Sequence, residues 1–268
     1  MILITYTPAH REDIILMRYT VFIAVVVCIL CQGAIAVTQS SMPTNDEQAK
    51  QMMKQADHLW GYEHKPLEAI ELLRKVVAYN PRLEAHYPEE KLHLRAQSEL
   101  GHAYMEAGQM ENAVAAYDLA EQFAQESGGY EPTILPMMMS RCREKLAAAG
   151  KTPAGAMIVI AGWIFRGTST MVDGVALVSA SELAPKMGLR VESDKLGGLT
   201  ISSTDADNRK VLKMTVDSNI AVGSDKTLQL PVSPRQHSKG ILIPLRDVAG
   251  YFGAEVKWDA APKVAWVQ

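Results

Sequence analysis

The chain has 268 residues, a formal net charge of −3 and a pI near 6.2. With no basic stripe, that balance argues against a nucleic-acid partner. Hydrophobic residues make up 48% and cysteines number three, so stability must come from packed cores rather than a disulfide framework, and the length suffices for two domains.

Residues 1–36 read as a secretory signal peptide. Arg18 precedes an apolar stretch from Val21 to Leu30, and Ala34-Ile35-Ala36 supplies the small-x-small cleavage pattern. The stretch is shorter than a comfortable membrane span of about 20 residues, so membrane contact is expected only if the segment is retained as an anchor. Met17-Arg18-Tyr19 would itself be a conventional start, which makes 1–16 a candidate mis-assigned extension. The segment holds two basic and two acidic side chains, so its removal leaves the charge unchanged. Removal also takes Cys28 and Cys31, leaving Cys142 without an internal partner. Localisation is therefore expected to be secreted or extracytoplasmic, in the periplasm or cell envelope. Segment 37–47, rich in Ser, Thr, Asn and Pro, is expected to be a disordered leader.

Residues 48–150 carry helical patterning. Gly101, Tyr104, Gly108, Met110, Ala113, Tyr117 and Ala120 fall at positions 8, 11, 15, 17, 20, 24 and 27 of a 34-residue unit. That stretch resembles the tetratricopeptide repeat, in which small residues let two antiparallel helices approach. Ala56, Leu59, Trp60, Ala69, Leu72, Val76 and Pro81 resemble a more degenerate copy, with an extra residue in the turn around Lys65-Pro66. An insertion or lengthened helix at Arg82–Lys91 separates the two, and a last helix from about Thr133 to Ala149 could cap the stack. Two repeats are fewer than the three such stacks usually need, so a cap, or docking on the following domain, is expected.

The resemblance implies a concave face that binds a protein or peptide, formed in the second repeat by Arg95, Ser98, His102, Met105 and Glu106. The basic-and-asparagine clamp for peptide C-termini is absent from these positions, so no C-terminal carboxylate specificity is expected. His58, His64, His86, His93 and His102 lack the i, i+4 spacing and the extra ligand of a helical zinc site, so no metal is assigned. Met137-Met138-Met139 reads as helix core.

Ala147 to Gly155 is a helix stop followed by a short linker, 151–155. Beyond it, residues 156–268 contain one unit written twice, from Gly174 through Asp194 and from Gly240 through Asp259. Each copy opens on a glycine and a short strand, continues as a short helix stopped by a second glycine, and closes on Val-x-x-Asp. Gly174 to Gly240 is 66 positions, while Gly188 to Gly253 and Asp194 to Asp259 are 65 each. In the first copy Ser179 and Glu182 are placed for a capping box; in the second, Pro244 suits the first helical position. The C-terminus reads as a β-hairpin broken at Ala261-Pro262-Lys263.

Gly240-Ile-Leu-Ile-Pro-Leu-Arg-Asp-Val-Ala-Gly-Tyr-Phe-Gly253, followed by Ala-Glu-Val-Lys-Trp-Asp259, resembles the copper amine oxidase N-terminal (stalk) domain-like family. The similarity is close over roughly the last 60 residues and looser over 155–215, where Val178-Ser179-Ala180 replaces Pro-Leu-Arg. It implies an extracytoplasmic α+β module, common on bacterial secreted and envelope proteins, without amine oxidase activity of its own. The Asn-Tyr-Asp/Glu-Tyr motif and His-x-His pair of a catalytic copper amine oxidase are absent from the chain. Trp258 and Trp266 could stack on carbohydrate, with Trp266 the candidate surface aromatic, although strand core accounts for both more simply.

The expected fold is therefore multidomain: an all-α, tetratricopeptide-like helical repeat domain, then an α+β domain built from two β-α-β-β units. The expected function is a non-catalytic exported adaptor with a protein or peptide partner and no cofactor. The alternatives are a cell-wall or carbohydrate-binding protein and an accessory subunit of an extracytoplasmic enzyme.

Overall fold

A computed structural model describes residues 41–79, 92–127, 133–153, 155–205 and 209–268. The signal segment, Pro81, His86 and the insertion Arg82–Lys91 lie outside the described residues. Helices α1 (Asp46–Gly61), α2 (Pro66–Tyr79), α3 (Leu92–Glu106), α4 (Met110–Ser127) and α5 (Ile134–Ala148) pack in sequence order. Helix α1 begins within the stretch expected to be a disordered leader. Asn45 accepts the Gln48 amide at 2.9 Å, and the Gln48 side chain accepts the Thr44 amide at 2.8 Å. Those bonds satisfy donors that a helix start leaves open.

Spacing makes the helices stack. On α1 the buried stripe is Ala49, Met52, Met53, Ala56 and Leu59; on α2 it is Ala69, Ile70, Leu72, Leu73 and Val76. Pro66 opens α2, where its missing N–H costs nothing. Between α3 and α4 the approach is so close that a Cβ on Gly101 would sit 2.6 Å from the Tyr117 ring. Ala113, Tyr117, Ala120 and Ala124 are fully buried along α4. Met139 and Cys142 of α5 close the stack, whereas Met137 faces solvent and Met138 is half-buried, so the methionine triplet divides between core and surface.

The β-rich part follows as β1 (Met157–Ile160), β2 (Trp163–Ile164), β3 (Ser169–Val172), β4 (Val175–Ser179), α6 (Ala180–Lys186), β5 (Leu189–Ser193), β6 (Gly198–Ser203), β7 (Val211–Thr215), β8 (Ile220–Gly223), β9 (Thr227–Gln229), β10 (Arg235–His237), β11 (Gly240–Pro244), α7 (Leu245–Tyr251), β12 (Val256–Asp259) and β13 (Val264–Val267). Three sheets form, in the orders β12-β13-β1-β2, β10-β11-β4-β3 and β5-β6-β7-β8-β9. The duplicated unit is thus β4-α6-β5-β6 and β11-α7-β12-β13. The first strands of the copies pair antiparallel, and Val178 faces Ile243, its own counterpart 65 positions on. An approximate two-fold axis therefore passes through that pair. Both helices stop at glycines with positive φ, +66° at Gly188 and +97° at Gly253. At the second, Ala254 N–H bonds Ala249 C=O and Gly253 N–H bonds Gly250 C=O, the paired bonds of a Schellman stop.

Two expected helix starts differ. Ser179 and Glu182 form no capping box, because the Ser179 amide already donates to Thr168 C=O in the strand ladder. Glu182 instead reaches across and accepts the Thr168 amide at 2.7 Å. Pro244 is the last residue of β11 and the N-cap of α7, not its first helical residue; a ψ of 112° keeps it extended.

Strand β1 joins the two parts. Its side chains alternate by strand geometry: Ile158 and Ile160 enter the β-rich core, whereas Met157 and Val159 enter the helical core with Ile164 and Val264. A strand buried on both faces reads as the unbroken apolar run Met-Ile-Val-Ile.

Candidate functional site

Helix α3 does not present its five expected groove residues together. Arg95 and Glu106 are exposed, with Arg95 Nε 4.0 Å from Glu99 Oε1. Ser98 is 7% exposed. His102 is half-buried, its Nδ1 2.9 Å from Ser98 O and its ring stacked on Trp60 at 5.5 Å and edge-on to Tyr117 at 5.3 Å. Met105 packs on the helical core. Helix α1 packs against α3 and covers the middle of the expected face; burial there pushes the Glu99 carboxyl above its ordinary value. What stays open is a cleft of about 330 Å³ at one end, lined by Lys50, Met53 and Lys54 of α1 and Leu92 and Arg95 of α3.

The other described histidines of the helical part serve local structure. His58 Nε2 is 3.4 Å from Glu63 Oε1 and its ring stacks on Tyr62; His64 occupies the α1–α2 turn; His93 is buried edge-on against Phe123. Among the described residues, no three of His, Cys, Asp and Glu gather as a metal set. Burial pushes the Cys142 thiol up to about 11, far from a nucleophile's range.

The two strand tryptophans divide differently from expectation. Trp266 is half-buried against the helical core, so the candidate surface aromatic is an interface residue. Trp258 is the exposed one, at 37%. It edges a cleft of about 320 Å³ whose lining includes Met171, Val175, Leu245, Arg246, Asp247, Val256 and Ala265. Burial holds the Asp247 carboxyl above its ordinary value. A shallower hollow of about 490 Å³ lies where the copies meet, between Met187-Gly188-Leu189 and their counterparts Phe252-Gly253-Ala254. Its ionisable neighbours are Lys186, Asp205 and Lys210, and Lys210 Nζ already bonds Tyr251 C=O at 3.2 Å.

The strongest polar cluster was not anticipated from the sequence. Glu121 of α4 is 0% exposed, and its Oε1 accepts the Ile164 amide of β2 at 2.7 Å. Gln125 donates to Glu121 and to Ile164 C=O, and Arg166 donates to Glu121 Oε2 at 2.5 Å and to Asp118 Oδ1 at 3.0 Å. From α5, Arg143 donates to Pro262 C=O and Gly155 C=O. A signal for Glu121 existed: it lies four residues after Tyr117, in the buried register of α4, where a carboxylate needs a partner from outside the helix.

A family model for the copper amine oxidase N-terminal domain matches residues 165–266. Among curated proteins, none matches the chain. Two solved structures resemble part of it, both of a Podosopora anserina protein assigned as a kinesin light chain with nearly identical TPR-like repeats. One, a Q17M variant, is 23% identical, covers 39% of this chain and 46% of its own, and gives a TM-score of 0.28. The other is 22% identical with the same coverage and a TM-score of 0.27. The chain thus spans about half the length of the solved proteins it resembles.

Proposed function

We propose that the protein is a non-catalytic, exported adaptor whose helical part holds a protein segment while the stalk-like part fixes how that segment is presented. The observation that carries this reading is the cleft between α1 and α3. Lys50, Lys54 and Arg95 line it together with Met53 and Leu92, a combination suited to an extended segment with acidic and apolar residues. The shared core around Met157, Val159 and Val264 supports the second half of the reading, because it ties the two parts together. Export rests on the leader pattern in residues 1–36, and the absence of activity on the match to a non-catalytic N-terminal domain.

Affinity capture from envelope extract, with the bound proteins identified by mass spectrometry, tests it. Lys54→Glu with Arg95→Glu should reduce the recovered partner at least about tenfold, since reversing two charges opposite acidic groups costs several kcal/mol. Equal recovery by the parent and the double variant would rule this cleft out.

A further inference from the structure

The duplicated unit supplies its own control, because the copies differ most where their helices begin. In the first, the Ser181 hydroxyl bonds the Ser179 hydroxyl at 3.1 Å and Glu182 holds the Thr168 amide, so both side chains serve the fold. Their counterparts 65 positions on are Arg246 and Asp247, which line the cleft beside Trp258. Asp247 meets its own backbone amide and the charge of Arg246. Trp258 itself stands where the first copy has Ser193. One scaffold thus occurs in a plain form and in a form carrying an indole, a guanidinium and a carboxylate around a single opening.

We infer that this cleft binds a pyranose ring of a neutral glycan, with the Trp258 indole against one C–H face and Asp247 and Arg246 holding hydroxyls at the rim. A sugar ring is apolar across its C–H face and hydroxylated around its edge. An aromatic plane beside a few polar groups complements that shape, because the indole offers apolar area and the charged groups make directional, charge-assisted hydrogen bonds. Asp247 accepts hydroxyl protons and Arg246 donates to hydroxyl oxygens. Adjacent opposite charges favour a neutral ligand over an acidic or basic peptide. The volume, about 320 Å³, lies at the small end of ligand sites and fits one or two rings. This site is separate from the α1–α3 cleft, so either can fail without the other.

The test titrates the full chain with N-acetylglucosamine trimer and with cellotriose, read by tryptophan fluorescence and saturation-transfer NMR. Saturable binding of one of them is expected in the range of about 10 μM to 1 mM, corresponding to a few directional contacts. Trp258→Ser, which copies the plain unit, and Asp247→Asn should each weaken it at least about tenfold. Ser193→Ala should leave it unchanged. Circular dichroism checks that each variant is folded, and if Trp258→Ser is not, Asp247→Asn decides. No binding of either trisaccharide, or full affinity in the folded Trp258 and Asp247 variants, overturns the inference.

Discussion

Gly101 shows how one residue's effect depends on what faces it. On an exposed helix, alanine is favoured over glycine by about 1 kcal/mol. Here the added methyl would lie 2.6 Å from the Tyr117 ring, and that ring is fully buried. Overpacking of this kind costs about 1–3 kcal/mol, so Gly101→Ala should lower the midpoint of chemical denaturation. Gly61→Ala, with nothing within 4 Å of the new carbon, should be neutral or stabilising. A stabilised Gly101→Ala would show that α3 and α4 are not packed this closely. The small residue opposite a large one was legible in the repeat spacing of Gly101 and Tyr117. The half-burial of His102 was not, because its ring stacks on Trp60 arriving from α1.

At the level of elements, the two short helices share a framework but not their chemistry. Both stop at a positive-φ glycine, yet one begins at Ser179 and the other at Pro244. Glu182 links α6 to strand β3, and the Thr168 amide it accepts lowers its pKa below the ordinary 4.5. A carboxylate with a depressed folded pKa adds stability above its unfolded pKa and loses it as pH falls through the folded one. Glu182→Gln should therefore be less stable than the parent at neutral pH, and the gap should close below about pH 4. Thermal melts from pH 7 to 3 measure it, and a gap that stays constant would remove Glu182 from the acid response. Sequence placed the carboxylate at the correct turn of the helix. It misassigned the partner because the β3–β4 hairpin folds the Thr168 amide back to the start of α6, a contact that helix spacing alone does not encode.

A buried carboxylate adds polar bonds to the apolar seam between the two parts of the molecule. Glu121 bonds a β2 amide and Arg166 from inside α4, and Arg143 reaches the last hairpin from α5. Removing Glu121 leaves the Ile164 amide without its acceptor, a loss of about 1–3 kcal/mol for a buried donor, while Arg166 keeps Asp118. Glu121→Ala should convert one cooperative calorimetric transition into two, with the helical part and the β-rich part melting separately. A single transition in the variant would mean that the apolar seam alone couples them.

Taken alone, the sequence determined the order of the two parts, the helical pairing around Gly101 and Tyr117, and the doubled strand-helix-hairpin unit. Each of these is written in local periodicity and in glycines that only certain turns require. Tertiary structure decided which side chains remained available. Trp266 went into the seam and Trp258 stayed outside; Glu182 was drawn to the Thr168 amide ahead of β3 while its counterpart Asp247 came to line a cleft. These outcomes depend on neighbours brought in by hairpins and by packing of the two parts, whose arrival the spacing within one element does not encode.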